Sequence, residues 1–196
     1  MARSSEITRK TGETEIVLTL NLDDAASGSR ETGIGFFDHM LDLVQRHAGI
    51  GLTVSATGDL QTGAHHTVED TGICFGKALD EALGDRAGIT RYGYSVVPMD
   101  EARAACAIDL SGRPFTAVDV ELPAGATGGF EHDLLEEFMR AVASSARLTL
   151  HIDLQRDGGP HHVIEACFKA FARALRQAVS VAPGATEIPS TKGTLT

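Results

Sequence analysis

Apolar positions along this chain recur with two periods, and the whole pattern runs through twice. In the second half, Ile164, Phe168, Phe171, Leu175 and Val179 fall at steps of three and four, which predicts one stripe of an amphipathic helix. A matching helix is predicted from residue 65 to a stop at Gly84, and the later one stops before Pro183. Two further amphipathic helices are predicted at 36–49 (FFDHMLDLVQRHAG) and 134–147 (LLEEFMRAVASSAR). Between the helices of each half lies a short strand-like run, Leu52-Thr53-Val54 and Leu148-Thr149-Leu150, 96 residues apart. Residues 15–22 alternate imperfectly, as a half-buried strand does. Residues 104–110 and 115–122 read as a pair of strands joined at a Ser111-Gly112-Arg113-Pro114 turn. Residues 24–32 read as a hairpin loop, and 123–130 as a flexible one.

Each half therefore reads strand, strand, helix, strand, helix. The fold class that follows is α+β and internally duplicated. Each half is expected to be a mainly antiparallel sheet with two helices on one face. The division falls near 88–91, giving a first half of 1–90 and a second of 91–196. The clearest sign of duplication is a motif. His65-His66-x-x-Glu69 and His161-His162-x-x-Glu165 also stand 96 residues apart. Aligning Phe36-Phe37 with Leu134-Leu135 takes an offset of 98 and sets His39 opposite Glu137.

Composition narrows the functional classes. Of 196 residues, 42% are hydrophobic and 22% charged, a globular balance. The longest uninterrupted apolar run, Ala104 through Ile108, has five residues. A membrane span needs about 18. No basic-then-apolar leader opens the chain, so neither a signal peptide nor a membrane role is expected. With 27 acidic and 17 basic residues the net charge is −10, which disfavours nucleic acid as a partner. Three widely spaced cysteines argue against a disulfide framework and for a reducing cytoplasm.

On a helix, residues i and i+4 share a face, as do i and i+3. Glu69 thus neighbours both His65 and His66, while the two histidines point about 100° apart. They cannot easily grip one ion together, so one such helix is expected to serve two ions. Two helices supply four histidines and two glutamates, a donor set that suits Mn, Fe, Zn or Ni. The absence of thiolate ligands argues against a structural zinc. His39 and His47 share a predicted helix, His132 lies in a loop-like stretch and His151 in a predicted strand.

The motifs TGIGFFDHML (32–41), HHTVEDTGI (65–73), PMDEA (98–102), DLSGRP (109–114), TLHI (149–152), HHVIEACFKAFARALRQA (161–178) and PSTKGTL (189–195) occur in order. With them the chain resembles the imidazoleglycerol-phosphate dehydratases of histidine biosynthesis. The resemblance implies a duplicated fold with a four-stranded sheet and two helices per half, and a manganese enzyme with two ions per active site. It also implies a large homo-oligomer whose sites are shared between subunits. The family's metal ligands fall on His39, His65, His66, Glu69, His161, His162 and Glu165. An eighth, a histidine in many members, falls on Glu137, with His132 as its competitor nearby. Other departures are Gly63 and Gly159, where an acid and an asparagine are common, and Leu43, where glutamine is common.

The implied reaction removes water from imidazole glycerol phosphate to give imidazole acetol phosphate. The proton lost sits on carbon with no adjacent carbonyl, and metal ions on the two ring nitrogens would stabilise the electron-rich ring. The same resemblance places Arg91, Arg113, Lys169, Ser190 and Lys192 around the phosphate. Glu13, His47, Asp100 and Glu101 are the acid–base candidates. Two other readings compete: a dinuclear metal-dependent hydrolase, and a non-catalytic protein whose assembly is stabilised by metal.

Overall fold

The computed structural model describes residues 3–25, 27–181 and 184–195. In the first half, β1 (Ser4–Lys10), β2 (Thr14–Asn21), β3 (Ser27–Glu31) and β4 (Gly51–Gly58) form one sheet, with α1 (Gly35–Ala48) and α2 (His65–Leu83). A single 3-10 turn, Leu60–Thr62, links β4 to α2. In the second half, β5 (Tyr92–Met99), β6 (Ala102–Asp109), β7 (Phe115–Asp119) and β10 (Thr149–Arg156) form another sheet. Its helices are α3 (Leu134–Ser145) and α4 (Pro160–Val179). A small hairpin, β8 (Ala126–Thr127) and β9 (Phe130–Glu131), precedes α3.

The two sheets have the same order, β1-β2-β4-β3 and β5-β6-β10-β7. Three strands of each pair antiparallel, and the fourth pairs parallel at the edge. The fold is thus duplicated α+β, as the repeated pattern implies. Three local expectations differ. Residues 24–32 contain β3, which lies parallel beside β4 and forms no hairpin. Its sequence, SGSRE, is polar and short, so it carries no alternation. Strands β6 and β7 are not a hairpin either, because β10 inserts between them. Residues 123–130 are partly ordered by the β8–β9 pair. Helix α2 ends at Gly84, which has a positive φ of 55°, as expected. Helix α4 ends at Val179, and Pro183 lies outside the described residues.

The helices of the two halves pack on each other as well as on their own sheets. Phe37 meets Phe138 edge-on at 5.3 Å between ring centres, Phe138 stacks on Phe168 at 5.3 Å, and Phe75 tilts against Phe171 at 6.3 Å. Such aromatic pairs add about 0.5–1.5 kcal/mol each beyond area burial. Helix α1 lies along α4, and α3 along α2. The second approach is very close. A Cβ on Gly72 would sit 2.8 Å from Ala141 Cβ, and one on Gly76 would sit 2.6 Å from Ser145 Cβ. Arg86 is buried across the joint between halves. It donates to Leu110 O (3.0 Å), Ala146 O (2.9 Å) and Arg147 O (3.3 Å), and pairs with Asp80. No described helix is long and apolar enough to cross a membrane.

Candidate metal centre

Both His-His-x-x-Glu motifs open their helices, so the side chains emerge at the exposed helix start while the apolar stripe stays in the core. The paired rings stand almost perpendicular, at 83° for His65 and His66 and 88° for His161 and His162. This is the divergence expected of adjacent helical positions.

In the second half, His161 Nε2 lies 3.2 Å from Glu165 Oε2, and His39 Nε2 of α1 lies 3.6 Å from the same oxygen. The packing of α1 on α4 creates this meeting. The Phe36 ring edge backs His161 at 5.0 Å. Lys169, one turn on, places Nζ 2.6 Å from Glu165 Oε1. The Glu165 side chain is only 8% exposed. Burial pushes its carboxyl up, but the Lys169 ammonium and His39 hold it, on balance, below the ordinary value.

His162 reaches a different set. Its Nδ1 lies 3.0 and 2.9 Å from the two Glu101 oxygens, and its Nε2 lies 3.9 Å from Asp100 Oδ2. Glu101 accepts the Gly159 N–H at 2.8 Å. That bond, its own backbone N–H and His162 hold the Glu101 carboxyl down to about 2. Glu101 in turn raises the His162 pKa. Asp100, Glu101 and His162 lie close enough to hold a cation among themselves.

The first half repeats this with different neighbours. His65 Nε2 lies 3.7 Å from Glu69 Oε2, and His66 Nε2 lies 3.7 Å from Glu13 Oε1. His66 Nδ1 lies 3.1 Å from both Asp59 oxygens, and Asp59 raises its pKa. The sequence reading missed Asp59. It lies in an irregular connection, which the 3-10 turn folds back toward the start of α2, and no periodicity marks it. Glu137 lines a cavity of about 410 Å³ with Glu69, Arg9, Lys77 and Arg140. It therefore faces the same cavity as Glu69, on the helix equivalent to the one that carries His39. Its competitor His132 is buried in the β8–β9 hairpin. Its Nδ1 donates to Pro123 O at 2.7 Å and its Nε2 accepts from Thr127 Oγ1 at 3.1 Å. Pro123 O can only accept, so the proton sits on Nδ1 and both ring nitrogens are engaged. His151 packs against the exposed Phe115 ring at 5.5 Å, on the outer sheet face.

The phosphate candidates divide. Arg91, Arg113, Ser190 and Lys192 line one cavity of about 710 Å³ with the C-terminal segment. Arg91, with a positive φ of 73°, pairs with Asp109 at 2.7 Å and donates to Pro189 O at 2.8 Å. Ser190 Oγ accepts the Lys192 N–H at 3.2 Å, in a turn closed by Gly193 N–H to Ser190 O. Lys169 stands apart from this cavity, against Glu165. His47 sits beside Lys169 and Arg173; burial, then these cations and Arg46, lower its pKa.

A sequence profile of the imidazoleglycerol-phosphate dehydratases matches residues 32–175. The enzyme of that name from Jannaschia sp. is 52% identical over 194 residues, covering 98% of this chain and all of that one. The one from Acetivibrio thermocellus is 50% identical over 195 residues and covers both chains entirely. Among solved structures, the Staphylococcus aureus imidazoleglycerol-phosphate dehydratase aligns with a TM-score of 0.83 at 41% identity. It covers 91% of this chain and 99% of that one. The Pyrococcus furiosus structure aligns with a TM-score of 0.84 at 35% identity, covering 96% and 100%.

Proposed function

This chain belongs to the imidazoleglycerol-phosphate dehydratase family, and on that premise we propose that it removes water from imidazole glycerol phosphate, giving imidazole acetol phosphate, with bound manganese. The observation that carries the metal part is the pair of clusters at the starts of α2 and α4. Each combines imidazole and carboxylate donors within 4 Å of one another. Neutral imidazole with carboxylate suits a borderline divalent ion such as Mn²⁺, so the donors present fit the group. His65, His66, Glu69 and Glu137 would hold it in one half, and His39, His161, His162 and Glu165 in the other. Bound manganese would supply Lewis-acid polarisation and a template for the imidazole ring.

The chain's own residues supply the rest. Arg113, Ser190 and Lys192 converge on one cavity and bind the phosphate there, with guanidinium as the bidentate partner. Arg91 fixes the C-terminal segment that forms the cavity wall, through its bond to Pro189. Glu13 and Asp100 stand within 4 Å of His66 and His162 Nε2 and reach solvent, so they are placed to take or give a proton near the ring. Lys169 keeps the buried Glu165 charged.

The two motif clusters stand on separate halves, and within one described chain each gathers only part of a coordination shell. Sites completed by a second copy of the chain account for this. The second sheet's outer face carries exposed Tyr92, Tyr94, Val96 and Phe115, which suits self-association. The test is incubation of the metal-loaded protein with imidazole glycerol phosphate, followed by mass spectrometry. A product lighter by one water, formed with Mn²⁺ and lost on chelation, is expected. Intact substrate, or free inorganic phosphate in its place, would overturn the reading.

A further inference from the structure

We propose that Asp59 and Glu101 are positioning residues, which lock the second histidine of each motif, His66 and His162, in the tautomer that presents Nε2 to the metal. The inference rests on the metal-binding reading above. In both places a carboxylate faces Nδ1, at 3.1 Å for Asp59 and at 2.9–3.0 Å for Glu101. A carboxylate can only accept, so Nδ1 carries the proton and the neutral ring keeps its lone pair on Nε2. Such a partner also fixes the ring's orientation and raises its basicity as a ligand.

The two contacts are not copies of one inherited contact. Asp59 comes from the connection between β4 and α2, and the residue 96 positions later is Gln155. Glu101 comes from the turn between β5 and β6. The corresponding turn of the first half, between β1 and β2, supplies Glu13, which faces the opposite nitrogen, Nε2. Duplication alone would place the same contact at equivalent positions. Here non-equivalent elements reach the same ring atom, which points to a demand made by the histidine itself.

Local structure is built around both carboxylates. Thr62 Oγ1 donates to Asp59 Oδ2 at 3.0 Å. Gly159 N–H donates to Glu101 Oε1 at 2.8 Å, and a Cβ on Gly158 would sit 2.8 Å from that same oxygen. Among the described residues, Asp59 and Glu101 are the carboxylates within hydrogen-bond reach of these nitrogens.

The test uses the full-length protein with Mn²⁺ as the probe. Free Mn²⁺ is followed by electron paramagnetic resonance in wild type, Asp59→Ala, Asp59→Asn, Glu101→Ala and Glu101→Gln, with imidazole ¹⁵N spectra of the metal-free proteins. Each alanine variant is expected to bind Mn²⁺ about 10–100-fold more weakly. The amide variants should recover part of the loss, since an amide oxygen still accepts from Nδ1–H. The spectra should show Nδ1–H on His66 and His162 in wild type and a shift toward Nε2–H in the alanine variants. Wild-type affinity and an unchanged tautomer in those variants would overturn the positioning role and leave metal binding intact. A wild type that takes up no Mn²⁺ would overturn the metal reading, and the tautomer would then decide the positioning role by itself. Where an alanine variant fails to fold, the wild-type spectrum decides: Nδ1–H upholds the proposal and Nε2–H defeats it.

Discussion

The two halves carry one motif in two different electrostatic settings. Glu165 is enclosed, with Lys169 and His39 against its oxygens. Glu69 is 44% exposed, and its ion-pair contact is with His65 at 3.7 Å. The residue equivalent to Lys169, 96 positions earlier, is Ile73, so the first half has no resident ammonium at that place. The neighbouring helix brings the His39 imidazole to Glu165 in one case and sets Glu137 in the cavity of Glu69 in the other. Duplication preserved the donor geometry on the helix and let the surroundings diverge. The carboxylate of the second cluster is therefore enclosed and ion-paired, whereas that of the first is open to solvent.

The strongest way to break this comparison is to remove one ligand from each half. His66→Ala and His162→Ala should each lose metal and several kcal/mol of transition-state stabilisation, a loss of about a thousandfold or more in kcat/KM. Steady-state kinetics beside elemental analysis would show it, and near-normal turnover in either variant would mean that one half suffices.

Stability should separate the halves. Glu165→Gln leaves the Lys169 ammonium without its carboxylate and should cost about 1.5–3 kcal/mol in urea unfolding of the metal-free protein. Glu69→Gln, on the exposed side, should stay within about 0.5 kcal/mol. Equal losses would erase the contrast drawn here.

Lys169 and Arg113 sharpen it further. Lys169→Ala strands a buried carboxylate, so kcat/KM should fall roughly ten- to a hundredfold, as for a lost charge-assisted bond, and the melting temperature should fall with it. Arg113→Ala should raise KM by a similar factor without moving the melting temperature. A thermally silent Lys169→Ala would release the lysine from its role at Glu165.

The smallest effect is expected at Glu137. Its alanine variant should weaken metal binding in the first half by about tenfold, at the low end of what single supporting groups contribute. Glu137→His, which restores the His39 pattern, should be tolerated. Unchanged metal affinity in Glu137→Ala would remove Glu137 from the ligand set.

How much of this was legible follows from where each signal lies. The motif helices were readable because the information is local: apolar residues at helical steps, and donors at i and i+4. The opposition of His39 and Glu137 comes from aligning the chain with itself, and α1 packs on α4 as α3 packs on α2. The edge strands β3 and β7 were misread because each joins its sheet beside a strand that comes later in the chain. No turn between neighbours announces such a pairing. Asp59 was missed for a related reason, since a loop residue reaches its partner by the path of the chain and not by a period. Lys169 shows a local signal: its i, i+4 relation to Glu165 is visible in the sequence, and the structure pairs the two at 2.6 Å.

The measurement that tests the account most directly is metal content per chain after equilibrium dialysis against Mn²⁺, for wild type, Glu69→Gln and Glu165→Gln in parallel. If the two motifs hold the metal, wild type takes up two ions per active site and each single variant loses a substantial part of that content despite remaining folded. Full wild-type content in both variants would contradict the assignment of metal to the His-His-x-x-Glu helices.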